Sequence, residues 1–207
     1  MRRIDSAIAD QEELELFLAD MSYGTLGTWG EDGWPELTPL NFVYDGGCIY
    51  FHGSRIGQKM SNLKAQPRVT FSVAKEYAII PSYYLDPKLA CPATAYFKSV
   101  LIKGTAQLVN ELEEKALALA AFMRKLQPEG GYAPIDPADA DYLPQLRATA
   151  IVKINVETMS AKFKFGQNLT EPKRESIMDG LARRGAELDH ETMELMRKYC
   201  PHHRSQT

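Results

Sequence analysis

Lys59, at the start of a short helix that the spacing of the chain predicts, is the residue best placed to meet an anion. Strand character in Ile49, Tyr50 and Phe51 is broken by Gly53 and Ser54, and Ile56, Met60 and Leu63 then recur at the i, i+4, i+7 spacing of one helical face. Pro67 closes that helix, because the residue before a proline is pushed out of the helical region. The first turn therefore carries Gly57, Gln58 and Lys59, where backbone N–H groups without intrahelical partners and the positive end of the helix dipole favour negative charge. Lys59 adds a full charge, and the chemistry this points to is the holding of a phosphate. A lysine near a helix start is also common as a solvated surface residue, so the spacing alone leaves both readings open.

Other reactive side chains are few. His52 ends the strand before the turn, where a histidine serves either as a hydrogen-bonded structural residue or as a proton carrier. Lys162 and Lys164 alternate with Phe163 and Phe165, so a strand there puts both lysines on one face and both rings on the other. Cys91 lies in a proline-flanked loop with no charged neighbour nearer in sequence than Lys88, so nothing marks it as an activated thiolate. Cys200, His202 and His203 invite a metal, but further ligands at fixed spacing are missing and a polar, disordered tail is the expectation. No metal is expected. No G-x-G-x-x-G follows a strand, and there is no Walker-type phosphate loop, no G-x-S-x-G elbow and no H-E-x-x-H pair.

The elements that must hold these residues read as a meander of strands with helices at the corners. Asp10 and Glu13 form a capping box ahead of Leu14, Phe17, Leu18 and Met21 on one helical face. Residues 23–29 and 36–44 read as strands around the turn Glu31-Asp32-Gly33, and Asp45-Gly46-Gly47 turns into a third strand over 48–52. Pro39 cannot donate to a ladder, so it belongs at a sheet edge or opening, where a flat ring could lie against backbone. A strand from Arg68 to about Ile79 is followed by a loop punctuated by Pro81, Pro87 and Pro92, long enough to cover a site or reach a partner subunit. A long strand over 96–109 comes next, with Gly104 allowing a close approach. Asn110 and Glu113 then cap a helix whose apolar face is Leu112, Ala116, Leu119, Ala120 and Met123. Residues 127–143 form a surface excursion, 149–156 and 158–165 two strands, and 171–184 and 189–199 two helices separated by Gly185. Six or seven strands and these helices predict one α+β domain, mainly β, built on an antiparallel barrel of about residues 8–165 with a helical extension over about 166–200.

The 207 residues carry a formal charge of −3, with a sequence pI near 5.9. There is no global field to attract nucleic acid or anionic lipid. Three scattered cysteines make neither a disulfide framework nor a C-x-x-C zinc site, and a reducing compartment, the cytoplasm, is the expected location. Arg2 and Arg3 are followed by Ile-Asp-Ser and not by an apolar run, so no signal peptide is read there, and no stretch is long and apolar enough to span a bilayer.

The order of an aromatic strand ending in His52, a polar turn, a Gly-Gln-Lys helix start, Gln66-Pro67 and a following strand resembles the FMN-binding split-barrel flavoproteins of the pyridoxamine 5'-phosphate oxidase-like superfamily, most of all their nitroimidazole-resistance-like branch. Further matches are MRRIDSAI from Met1, YGTLGT from Tyr23, PLNFVYDGGCIYFH from Pro39, YFKSVLIKG from Tyr96 and KFKFGQNLTEPKRESI from Lys162. The resemblance implies an antiparallel split barrel that binds FMN, in a homodimer with the cofactor at the subunit interface. It puts the flavin phosphate on Gly57, Gln58 and Lys59, with Ser54 and Arg55 adding donors, and the ring along Thr38, Pro39, Leu40 and Asn41, with His52 beneath as the candidate catalytic residue. Ser99, Lys162, Lys164 and Gln167 are implied to lie near the cofactor. The chain departs from the oxidase pattern at Gln58, where those enzymes carry an arginine beside the phosphate lysine; an amide still donates but gives up a charge. The activity implied is electron transfer from a reduced donor to a small acceptor such as a nitroaromatic or quinone. The alternatives are a non-catalytic or regulatory flavin-binding protein, since the closing segment also resembles that of transcriptional regulators, and a haem-binding split barrel with His52 or His203 as axial ligand.

Overall fold

The computed structural model describes residues 10–200, together with the backbone of Ala7 and Ile8. Most of the MRRIDSAI segment, and the tail with His202 and His203, lie outside the described residues.

In chain order the elements are β1 (Ala7–Ile8), α1 (Gln11–Asp20), β2 (Tyr23–Trp29), β3 (Pro35–Asn41), β4 (Val43–Asp45), β5 (Cys48–Gly53), α2 (Gln58–Ala65), β6 (Arg68–Ile80), a 3-10 turn (Ser82–Tyr84), β7 (Thr94–Val109), α3 (Leu112–Leu126), α4 (Tyr142–Ala148), β8 (Ala150–Lys164), α5 (Glu171–Arg184) and α6 (Asp189–Lys198). The sheet runs β3-β2-β6-β7-β8-β5-β4, with β1 also on β8, and the pairings of β2 with β3 and β6, β5 with β4 and β8, and β1 with β8 are antiparallel. The class is α+β and mainly β, as the strand-and-turn pattern predicts.

Two compact units divide the chain: residues 74–100 and 160–200 with β1, and residues 10–73 and 101–159. Strands β6, β7 and β8 each contribute a segment to both. In the larger unit, Asp10 caps α1 through bonds from the Glu12 and Glu13 N–H groups, and Leu14, Phe17 and Leu18 are buried, as read from the sequence. Its core gathers Leu26, Phe42, Ile49, Phe51 and Phe71, with Phe42 meeting Phe71 edge-on at 5.1 Å. In the smaller unit Phe165 stacks on Tyr199 at 5.5 Å and meets Tyr77 edge-on, and Gly185, at φ +63, ends α5.

Several expectations are corrected. The strand expected over 36–44 breaks at Phe42, whose N–H bonds to the Ser22 carbonyl while its ring turns into the core. That one residue joins β3 to β4, the two ends of the sheet path, which is the connectivity an antiparallel barrel needs. The two strands expected over 149–165 are the single strand β8: no turn residue interrupts it, and Glu157 accepts from the Thr105 hydroxyl at 2.6 Å. A helix, α4, follows the surface excursion; Pro144 sits in its first turn, where no backbone donor is lost. On α3 the cap is Glu111, not Asn110, and Lys115, Ala116, Ala118, Ala121 and Phe122 are the buried residues. Among the described residues eight strands thus stand where six or seven were expected.

Candidate functional site

The turn from β5 into α2 has the geometry of an anion site. Gly57 caps α2 at φ +116, a conformation that side chains rarely adopt, and a Cβ there would meet open space. No side chain caps this helix. The Met60 and Ser61 N–H groups bond back to the Gly57 carbonyl, so those of Gln58 and Lys59 ahead of them are the donors an anion would meet. The Ser54 Oγ accepts from the Ile56 N–H at 3.2 Å, which shapes the turn and leaves its O–H to donate. Ile56 itself is 83% exposed and precedes the helix, so the apolar face expected from it begins only at Met60 and Leu63.

Lys59 folds back over β5. Its Nζ lies 5.2 Å from the centre of the Phe51 ring and would be 3.3 Å from a Cβ on Gly53. Burial there pushes its pKa below the ordinary lysine value. His52 meets Phe122 edge-on at 4.9 Å, and burial, with the Lys59 ammonium adding to it, holds the imidazole below its ordinary pKa. A neutral imidazole and a half-covered ammonium therefore sit close together; negative charge arriving there would stabilise the ammonium and raise the imidazole pKa.

Gln58 acts differently from the expectation of a side-chain donor. Its Nε2 donates to Asn62 Oδ1 at 3.1 Å, while Asn62 Nδ2 donates to Thr28 Oγ1 at 3.0 Å and Glu36 Oε2 at 2.8 Å. The Asn62 amide thus pins α2 to β2 and β3, the Gln58 side chain is spent on Asn62, and what Gln58 offers an anion is its backbone N–H. Asn62 is fully buried and was not singled out in the sequence, although its place four residues after Gln58 is the spacing at which helical side chains pair.

Pro39, on β3, pairs with Thr25, and β3 is an end of the sheet path, the place where a proline is tolerated in a sheet. Thr38 and Leu40 turn inward, whereas Pro39 and Asn41 face outward, with Asn41 Nδ2 donating to the Ser22 carbonyl at 3.0 Å. A ligand lying along this stretch would touch the side chains of alternate residues only. Arg55 is exposed and, with Met60, Leu63, Lys64 and Leu108, lines a cavity of about 320 Å³. Nearby is a cation missed in the sequence: Lys115, buried on α3, donates to the Leu146 and Thr149 carbonyls at 2.7 Å each, and burial with the Arg55 charge lowers its pKa. Its signal was a lysine three residues after Leu112, on the face expected to be apolar.

The remaining expected residues belong to the smaller unit. The Ser99 hydroxyl donates to the Lys162 carbonyl at 3.4 Å, and the Lys162 Nζ lies over the Phe97 ring at 5.5 Å. Lys164 Nζ bonds to Thr94 Oγ1. Gln167 is buried, accepting from the Phe165 N–H at 2.8 Å and donating to the Phe163 carbonyl at 2.6 Å, so both ends of its amide hold its own turn. Among the described residues no three His, Cys, Asp or Glu side chains gather as a metal site, and no helix is long and apolar enough to cross a membrane.

Comparison with known proteins adds a family and a fold. The family model described as pyridoxamine 5'-phosphate oxidase matches residues 10–163. No curated protein matches. Among solved structures the chain is similar to the flavocytochrome Anf3 from Azotobacter vinelandii, at 25% identity and a TM-score of 0.66 over 83% of this chain and 75% of that one. It is also similar to a FAD and haem binding protein from Mycobacterium smegmatis, at 18% identity and a TM-score of 0.65 over 83% and 79%. A third likeness is to a candidate 5-nitroimidazole antibiotic resistance protein from Bacteroides thetaiotaomicron, at 22% identity and a TM-score of 0.60 over 75% and 85%.

Proposed function

The chain belongs to the pyridoxamine 5'-phosphate oxidase family, and from that membership we propose that it is an FMN-binding flavoprotein, an oxidoreductase passing electrons from a reduced donor to a small acceptor such as a nitroaromatic or quinone. The observation that carries this reading is the uncapped start of α2 with Lys59 folded over β5 toward His52. Two free backbone N–H groups, the Ser54 hydroxyl and one ammonium fit a single phosphate monoester, which FMN has. The similar flavocytochrome and the FAD and haem binding protein support a flavin as the class of cofactor. When bound, the flavin would supply the redox chemistry. The chain's part is to hold the phosphate at Lys59, to offer the outward side chains of β3 and to keep the His52 ring neutral, so that it can accept a proton. We place the protein in the cytoplasm as a homodimer; its three free thiols, Cys48, Cys91 and Cys200, support a reducing compartment.

The absorption spectrum of the purified protein tests the cofactor: flavin bands are expected, while a Soret band alone would select the haem reading and a spectrum without chromophore the regulatory one. Analysis of the released flavin separates FMN from FAD. Lys59→Ala is expected to weaken FMN by about 1.5–3 kcal/mol, roughly one to two decades, and riboflavin hardly at all. Equal losses for the two ligands would remove Lys59 from the phosphate.

A further inference from the structure

We propose that the cavity at the start of α5 is a binding site for a small organic carboxylate with an apolar body. It measures about 410 Å³ and lies wholly within the smaller unit, a size suited to a small ligand. Lys164, Lys173 and Asn168 supply its polar side, Leu169 and Ile177 its apolar side. Thr94, also in the lining, fixes the Lys164 ammonium. The acid in the lining, Asp86, already accepts from the Lys88 and Leu89 N–H groups at 2.8 Å.

The wall itself holds a buried donor without a partner. Tyr96 is 1% exposed, and its hydroxyl has no hydrogen bond. That hydroxyl ends against Gly166, where a Cβ would come within 2.4 Å of it. Both residues line the cavity. Burial pushes the phenol up to about 12, so it remains an O–H donor throughout the neutral range. Leaving such a group unsatisfied is costly, and few native hydroxyls are left so. Behind Gly166 stands Arg174, also buried, whose Nη1 donates to the Gly166 carbonyl at 3.2 Å and whose Nε has no hydrogen bond, the Glu171 carboxylate being 3.9 Å away. No side chain caps α5, whose first turn presents Lys173 to the cavity. Two lysines, a helix start and an orphan hydroxyl favour an anion that accepts hydrogen bonds, and Leu169 and Ile177 favour an apolar body on it.

The site is independent of the flavin reading and stands whether or not FMN binds at α2. Calorimetry with benzoate, its neutral isostere benzamide and inorganic phosphate tests it on the protein as purified. Benzoate should bind, and benzamide and phosphate at least tenfold more weakly. Lys173→Gln should weaken benzoate by about tenfold, and Tyr96→Phe by about threefold to tenfold, with the Tyr96→Phe melting temperature unchanged or raised because an unpaired group is removed. Exposed Cys91 lines the same cavity, so benzoate should slow its alkylation by iodoacetamide, read by peptide mass spectrometry. No benzoate binding, equal binding of benzamide, binding without protection of Cys91, or a lowered melting temperature in Tyr96→Phe would each overturn the proposal. Flavin content, measured on the same samples, reports separately on the other reading.

Discussion

His52 is the residue through which pH should reach the proposed phosphate site. In the free protein, burial and then the Lys59 ammonium hold its imidazole below the ordinary 6.5. A phosphate at Lys59 cancels part of that ammonium's field and raises the imidazole pKa, so binding takes up a proton. Linkage then gives the sign: FMN affinity rises as pH falls through the His52 value of the complex, and levels off below that of the free protein. Phosphate titration lies on top of this, and His52→Gln isolates it. The wild type should therefore gain affinity relative to His52→Gln as pH is lowered from 8 to 5.5, and parallel curves for the two proteins would remove His52 from the site. That His52 lies near the end of a strand and Lys59 in the first turn of the helix after it was legible from the order of residues along the chain. The side-chain role of Gln58 was not, because Asn62, which takes its hydrogen bond, is itself tied to Thr28 and Glu36 far back in the chain.

At the scale of elements, α2 shows how little propensity decides in a helix of eight residues. Its position came from the break at Gly53-Ser54 and the stop at Pro67; its attachment comes from Asn62 and Leu63, both buried against neighbours. β7 and β8 make the point from the opposite side. Gly104 stands where a Cβ would lie 2.2 Å from the Asn155 carbonyl oxygen and 2.9 Å from the Ile154 Cγ2. Backbone cannot retreat as a flexible side chain would, so Gly104→Ala should cost about 1–3 kcal/mol, lowering the melting temperature by several degrees at roughly 2–4 °C per kcal/mol. Thermal unfolding checks it, and an unchanged midpoint would mean that the two strands are free to separate there.

For the whole molecule, the outward face of the β2–β3 hairpin is the surface that needs covering. Trp29, Trp34 and Leu37 are exposed, Leu37 at 72%, and the register sets Trp29 opposite Pro35 and Leu37 opposite the side-chain-free Gly27. β3 is also an end of the sheet path. An apolar face on an open edge is what association between copies removes, which is the basis for proposing a homodimer. Light scattering should give a dimer for the wild type and a monomer for Leu37→Lys, with the melting temperature of the monomer unit retained. A wild-type monomer that keeps bound flavin would count against an interface cofactor.

The strands over 23–29 and 48–52, the edge position of Pro39, the two closing helices around Gly185 and the Gly57-Gln58-Lys59 helix start were readable along the chain, because each depends on neighbours within a few residues: alternation, i+3 and i+4 spacing, and the backbone limits of proline and glycine. What only the tertiary structure decided are the contacts closed by distant segments. Phe42 breaks a strand to join two sheet edges, Lys115 is buried because the carbonyls of Leu146 and Thr149 wait for it, and the hydroxyl of Tyr96 is left without a hydrogen bond beside Gly166 in the cavity wall. The partners that close these contacts have no local pattern, since a lysine or tyrosine carries the same propensity whether or not a segment dozens of residues away arrives to enclose it.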